Sequence, residues 1–252
     1  MGISRHAIGT GKPRVTGPEA MIDTIMDMGI VPFFENPVTG YSIEEMTPAE
    51  NWFDTEENLS QTPWDWKIAC VESGEIAYGK FLLGGKAAFA TVEWYKELMN
   101  WRRSQEKFQP DEAQRQILDY LADNGSIGIK EIRGLLGVKK GQADAIMTRL
   151  QMGCRVVTGD IQRVYRGPDL HYNGWQVSSF CTPEDLFGLG NEATKPEESD
   201  RFGFASFGGF PLDTDTSAPE QHSPAESYAL LCDHIRTLAP GITDQQLAKL
   251  MG

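Results

Sequence analysis

Apolar positions recur at helical spacing three times in succession between residues 111 and 152, and a stretch of two-residue alternation follows. Ile117, Leu118 and Leu121 mark the inner face of a first helix that Asn124-Gly125 ends. Ile127 and Ile129 lead into a second helix over 130–136, closed by Gly137. Ala143, Ile146, Met147 and Leu150 form the inner face of a third over Lys140–Met152. Segments 155–158 and 162–166 then read as strands on either side of Gly159-Asp160, an Asp-containing hairpin turn. Three helices and a hairpin in that order are the signature of a winged helix-turn-helix, a module that usually places its third helix in a DNA major groove.

The pattern upstream is mixed. Pro18–Met28 predicts an amphipathic helix, with a first-turn proline and Ala20, Met21, Ile25 and Met28 on one face. Ile30-Val31-Pro32-Phe33-Phe34 reads as an extended segment, and Pro32 puts it at a sheet edge. Ser42-Ile43-Glu44-Glu45 carries a helix-capping signal. Segments 76–83 and 86–91 read as a hairpin across Gly84-Gly85, and 92–103 as a helix with Arg102-Arg103 where cations suit its dipole. Downstream, Thr182-Pro183-Glu184 opens a capped turn. Residues 189–221 lose periodicity and fill with Gly, Pro, Ser, Thr and acids, which predicts a flexible acidic linker, with the aromatics of 203–210 available to dock on the body. Ser223-Pro224-Ala225-Glu226 is a capping box that opens a helix, and a short last helix follows Thr243.

The expected fold class is therefore α+β and mostly helical. The expected organisation is an α+β domain over 18–107, a winged-helix domain over 108–188, the linker 189–221 and a C-terminal helical tail over 222–252. The first domain is compatible with a degenerate winged helix, which would make the chain a tandem.

Charge complicates the nucleic-acid reading. The 252 residues carry a formal net charge of -13. By segment the net is -6 over 1–110, +1 over 111–170 and -8 over 171–252, so only the winged-helix stretch escapes the acidic bias. Within it, Lys139, Lys140 and Gln142 begin the third helix, Arg149 lies farther along it, and Arg155 and Arg163 fall on the hairpin. A helix N-terminus and a basic wing can both meet phosphates, and Gln142 can reach a base edge. The competing reading is an ordinary set of solvated charges on a winged helix used for protein contacts.

Five of the six tryptophans fall between Trp52 and Trp101. They can stack on an extruded base or form the core of a small domain. Asp65, Glu72 and Glu75 lie near them in sequence and are the only candidates for a general acid or base, set against the plain alternative of solvated acids. The four cysteines form no CxxC pair and the four histidines no ligand spacing, so no metal or cofactor is expected. Gly9-Thr10-Gly11-Lys12 lacks the frame of a phosphate loop. No apolar run is long enough to span a membrane, and the N-terminus lacks the apolar core of a signal peptide, so the expected location is cytoplasmic.

Several runs carry a resemblance. Trp64-Asp65-Trp66-Lys67, Tyr78-Gly79-Lys80-Phe81, Trp101-Arg102-Arg103, Ile132-Arg133-Gly134-Leu135-Leu136-Gly137, Met147-Thr148-Arg149-Leu150-Gln151-Met152, Val156-Val157-Thr158-Gly159-Asp160 and Thr182-Pro183-Glu184 resemble the AlkZ/YcaQ-like winged-helix DNA glycosylases, and in particular their AlkZ-related branch. The resemblance covers roughly residues 30–190. It implies tandem winged helices and association with double-stranded DNA. Enzymes of the family position a water with a Gln-x-Gln motif whose middle residue is apolar. The only Gln-x-Gln here is Gln114-Arg115-Gln116, with a charged middle residue, so the catalytic role is not carried over. The reading is a DNA-binding or regulatory relative without glycosylase activity. The alternatives are a glycosylase-like enzyme and a protein-interaction scaffold.

Overall fold

The computed structural model describes residues 15–53, 62–189 and 222–252. Two runs of elements follow one plan. The first comprises α1 (Pro18–Met28), β1 (Ile30–Pro32), α2 (Ile43–Met46), α3 (Pro63–Glu72), β2 (Ile76–Leu82) and β3 (Lys86–Thr91). After α4 (Val92–Ser104) the plan repeats as α5 (Glu112–Asn124), β4 (Ile127–Gly128), α6 (Ile129–Leu136), α7 (Lys140–Met152), β5 (Val157–Arg166) and β6 (His171–Cys181). Each run makes a three-stranded antiparallel sheet in which its last strand is central: β1-β3-β2 in the first, β4-β6-β5 in the second. α8 (Pro183–Phe187), α9 (Pro224–Leu238) and α10 (Asp244–Met251) complete the chain. The protein is thus α+β with two small antiparallel sheets.

Local chemistry accounts for most element ends. The Ser42 hydroxyl accepts from the Glu45 N–H at the start of α2. Asp111 and Gln114 cap α5 reciprocally, as Ser223 and Glu226 cap α9. Gly137 takes the left-handed conformation that closes α6. Pro32 lies in β1, an edge strand as its missing N–H requires.

One sequence expectation is corrected. Gly159-Asp160 is not the hairpin turn. The register shifts there, so the pair forms a bulge inside β5, and the strand runs on to Arg166. The turn lies at 167–170, where Gly167 has φ 76° and Leu170 φ 48°. A side chain at position 159 would meet the Cys181 sulfur at 2.6 Å, which explains the glycine by close strand approach. β6, opposite β5, carries a second irregularity around Gly174 (φ 80°) that hides its alternation from a pattern reading.

The larger core gathers Met21, Ile25, Phe33, Phe81, Phe89, Tyr95 and Leu98 from the first plan with Leu231, Ile235, Leu247 and Leu250 from α9 and α10. The segment read as a C-terminal tail thus contributes core. A second core holds Ile117, Leu121, Ile127, Ile132, Ala143, Met147, Leu150, Val156 and Phe180. Ala143, Met147 and Leu150 are buried as helical spacing expected, and Ile146 is half-buried.

The two repeats interlock. Ile68 and Val71 of α3 pack with Ile161 of β5. In return, α7 lies against the first hairpin: the Gln151 Oε1 accepts from the Lys80 N–H at 2.9 Å, and a Cβ on Gly85 would sit 2.6 Å from the Thr148 methyl. Each third helix is therefore covered, wholly or in part, by the other repeat's hairpin. The linker segment 190–221, with the aromatics of 203–210, lies outside the described residues. No helix among the described residues is long and apolar enough to cross a membrane.

Candidate nucleic-acid interface

α7 is held from within by Ala143, Met147 and Leu150 and capped at its start by Gln142, whose Oε1 accepts from the Lys139 N–H at 3.1 Å. Gln142, Ala145 and Arg149 share the outward stripe at i, i+3, i+7, and Lys139 and Lys140 stand exposed at the first turn. Lys139, Lys140 and Arg149 make no ion pair among the described residues. The first turn of α7 thus presents two cations without an ion-pair partner among the described residues at the positive end of the helix dipole, and Arg149 adds a third on the outward stripe in the last turn.

The other two expected cations are engaged elsewhere. Arg155 is half-buried; it donates to the Gln109 Oε1 at 3.3 Å, and its Nε has no partner among the described residues. Burial lowers its pKa, and the neighbouring Arg103 pushes it the same way. The Arg163 guanidinium approaches the Asp65 carboxylate at 3.4 Å and lies over the Tyr172 ring.

Asp65, read as a candidate general base, is buried in the seam between α3 and the second hairpin. Its Oδ1 accepts from the Tyr172 hydroxyl (2.8 Å), the Gln176 amide (3.2 Å) and the Arg163 Nε (3.4 Å), while Oδ2 accepts from the Thr62 hydroxyl (3.2 Å). Lys67, two residues on, is also buried. Its Nζ donates to the Trp64 carbonyl (2.7 Å) and the Gln176 Oε1 (2.6 Å). Burial pushes the Lys67 pKa down to about 8, against the opposing pull of Asp65. The cluster can clamp a hairpin to a helix; its acceptor atoms are already filled. Glu72 and Glu75 are exposed. Glu75 borders an open cleft of about 720 Å³ with Asp27, Glu93, Trp94 and His234.

The tryptophans divide. Trp66 is buried, and Trp52, Trp94 and Trp101 are partly buried against the larger core. Trp94 stacks on His234 with centroids 3.8 Å apart, and Trp101 lies against Tyr228. Trp64 remains 43% exposed at the head of α3. The four cysteines are buried thiols; burial raises Cys70 to about 12 and Cys154 and Cys181 to about 11, so none is a ready nucleophile. No group of three His, Cys, Asp or Glu placed to hold a metal occurs among the described residues.

Sequence reasoning missed Arg102. It reads as a helix-end cation, yet it is fully buried and ties three segments together. It donates to the Met152 carbonyl at 2.8 Å, the Phe81 carbonyl at 3.1 Å and the Met251 carbonyl. Its neighbour Arg103 pairs with Glu184 and donates to the Cys154 carbonyl. The Trp101-Arg102-Arg103 run gave no sign of this, because an arginine beside tryptophan at a helix end is also what a surface would show.

A protein-family model described as AlkZ related matches residues 15–205. Neither curated proteins nor solved structures return a match. The chain belongs to the AlkZ-related family.

Proposed function

Taking that membership as the premise, we propose that the protein is a DNA-associating, tandem winged-helix relative of the DNA glycosylases that does not itself cleave N-glycosidic bonds. The tandem reading is supported by the element order of both repeats, in which the first strand pairs with the third and the third with the second, as a winged helix would require. The observation that carries the binding half of the reading is the trio Lys139, Lys140 and Arg149 on the outward side of α7, exposed and without an ion pair among the described residues. A segregated basic face binds phosphate even on a chain of net charge -13. Two observations support the non-catalytic half. Gln114, the first residue of the only Gln-x-Gln, is spent on the α5 cap, and all the acceptor bonds of Asp65 go to the seam.

The test is duplex affinity as a function of salt. The log–log slope is expected to fall by about 2 to 3 when Lys139, Lys140 and Arg149 are changed to Ala. Absence of salt-dependent binding would favour a winged-helix scaffold for protein contacts. A second reading, hydrolysis, has one observation in its favour, the cleft bordered by Glu75, Trp94 and His234. Release of free base from alkylated duplex, abolished by Glu75→Gln, would establish it.

A further inference from the structure

The second hairpin exposes more apolar surface than any other part of the described chain. Tyr165 is 53% exposed, Leu170 71%, Trp175 58% and Val177 56%, all within one ribbon of thirteen residues. Scattered exposed apolar residues are ordinary; a concentration on one projecting element marks a contact surface. The base of this ribbon is fixed. Ile161 packs on α3, and Arg163, Tyr172 and Gln176 converge on Asp65. The rings beyond that anchor are therefore held in place.

We propose that the distal ribbon stacks against unpaired nucleic-acid bases, a proposal that rests on the DNA-associating reading above. Pairing places Tyr165 opposite Tyr172, with ring centroids 5.7 Å apart, on the face that looks toward α3. Arg166, on the other face by strand alternation, lies over the Trp175 ring at 5.7 Å. The outer face of the ribbon thus offers an aromatic plane, Trp175, with an arginine beside it, Arg166; the face toward α3 offers the Tyr165 ring, its nearest arginine, Arg163, being held by Asp65. A plane flanked by a cation matches a base and its phosphate. Arg166 makes no ion pair among the described residues, so the Trp175 face carries a cation of the right sign for such a partner. An intact duplex hides its base faces in the stack, so exposed rings favour bulged or single-stranded bases.

The experiment compares the whole chain and its Tyr165→Ala/Trp175→Ala variant on three probes at one salt concentration. The probes are an intact duplex, the same duplex with a run of bulged thymines, and an oligothymidylate strand. The native chain is expected to prefer the bulged duplex and the strand over the intact duplex by about tenfold. The variant should lose that preference while keeping its melting temperature and its affinity for the intact duplex. Equal affinity for all three probes, or a preference that survives the double substitution, overturns the proposal. So does a native chain that self-associates through a contact the variant loses while the preference is unaffected. Failure to bind any probe sinks the DNA-associating reading itself; salt-dependent duplex binding without preference sinks only the stacking.

Discussion

The two repeats share one topology and use their third helices in opposite ways. In the first, α3 is almost wholly enclosed: Asp65, Trp66, Lys67, Ile68, Cys70 and Val71 are buried, and the second hairpin lies across it. In the second, α7 is covered only toward its C-terminal end, where Thr148, Gln151 and Met152 meet the first hairpin. Its first turn stands in solvent, and Lys139, Lys140 and, farther along the outward stripe, Arg149 make no ion pair among the described residues. The same scaffold thus serves once as a seat and once as a candidate reader. The difference lies in side chains. α3 carries a buried acid and lysine that bind a hairpin, whereas α7 begins with lysines that make no ion pair among the described residues.

The largest expected effect comes from cutting the clasp between the repeats. Arg102→Ala leaves the carbonyls of Phe81, Met152 and Met251 without their donor in a dry site, and urea denaturation should show a loss of about 3 to 5 kcal/mol. A loss under about 1 kcal/mol would mean that the repeats hold together without it. Asp65→Ala comes next. It strips Tyr172, Gln176 and Arg163 of their common acceptor, for an expected loss of about 2 to 3 kcal/mol; if the seam is incidental, the variant will denature with the native chain.

Lys67 gives the pH signature of the seam. Its folded-state pKa of about 8 lies below the ordinary 10.5. Between those values the unfolded chain holds the extra proton, so stability rises with pH there. The cost of burying the charge is fully present below about pH 8 and vanishes toward pH 10.5. Measured against Lys67→Met, in which every other titration cancels, the native chain should gain about 2 kcal/mol between about pH 7 and about pH 9.5. A constant difference would place Lys67 in water. The smallest stability effect belongs to α7: removing Lys139, Lys140 and Arg149 should shift stability by no more than about 0.5 kcal/mol. A larger loss would show that those residues support the fold, not a partner.

The helices of the second repeat were legible because amphipathic spacing, Asn124-Gly125 and Gly137 all point the same way. The sheets were not. β4 is two residues long, and β6 reaches its partner through a turn at 167–170 and not at Gly159-Asp160, with bulges that break alternation in both strands. A bulge and a turn draw on the same small residues, so local pattern cannot separate them. Of the site, the exposed cations of α7 could be read from sequence, since helical spacing from Ala143, Met147 and Leu150 puts them on the outer face. The engagement of Asp65 with Tyr172 and Gln176, more than a hundred residues away, could not. Nor could the burial of Arg102, which depends on α10 returning to the first core.

The comparison between the two third helices is tested most directly by amide hydrogen exchange with and without duplex DNA at low salt. Slower exchange across the first turns of α7 on adding DNA, with α3 unchanged, is the predicted result. Protection of α3, or none at α7, would contradict the assignment of seat and reader.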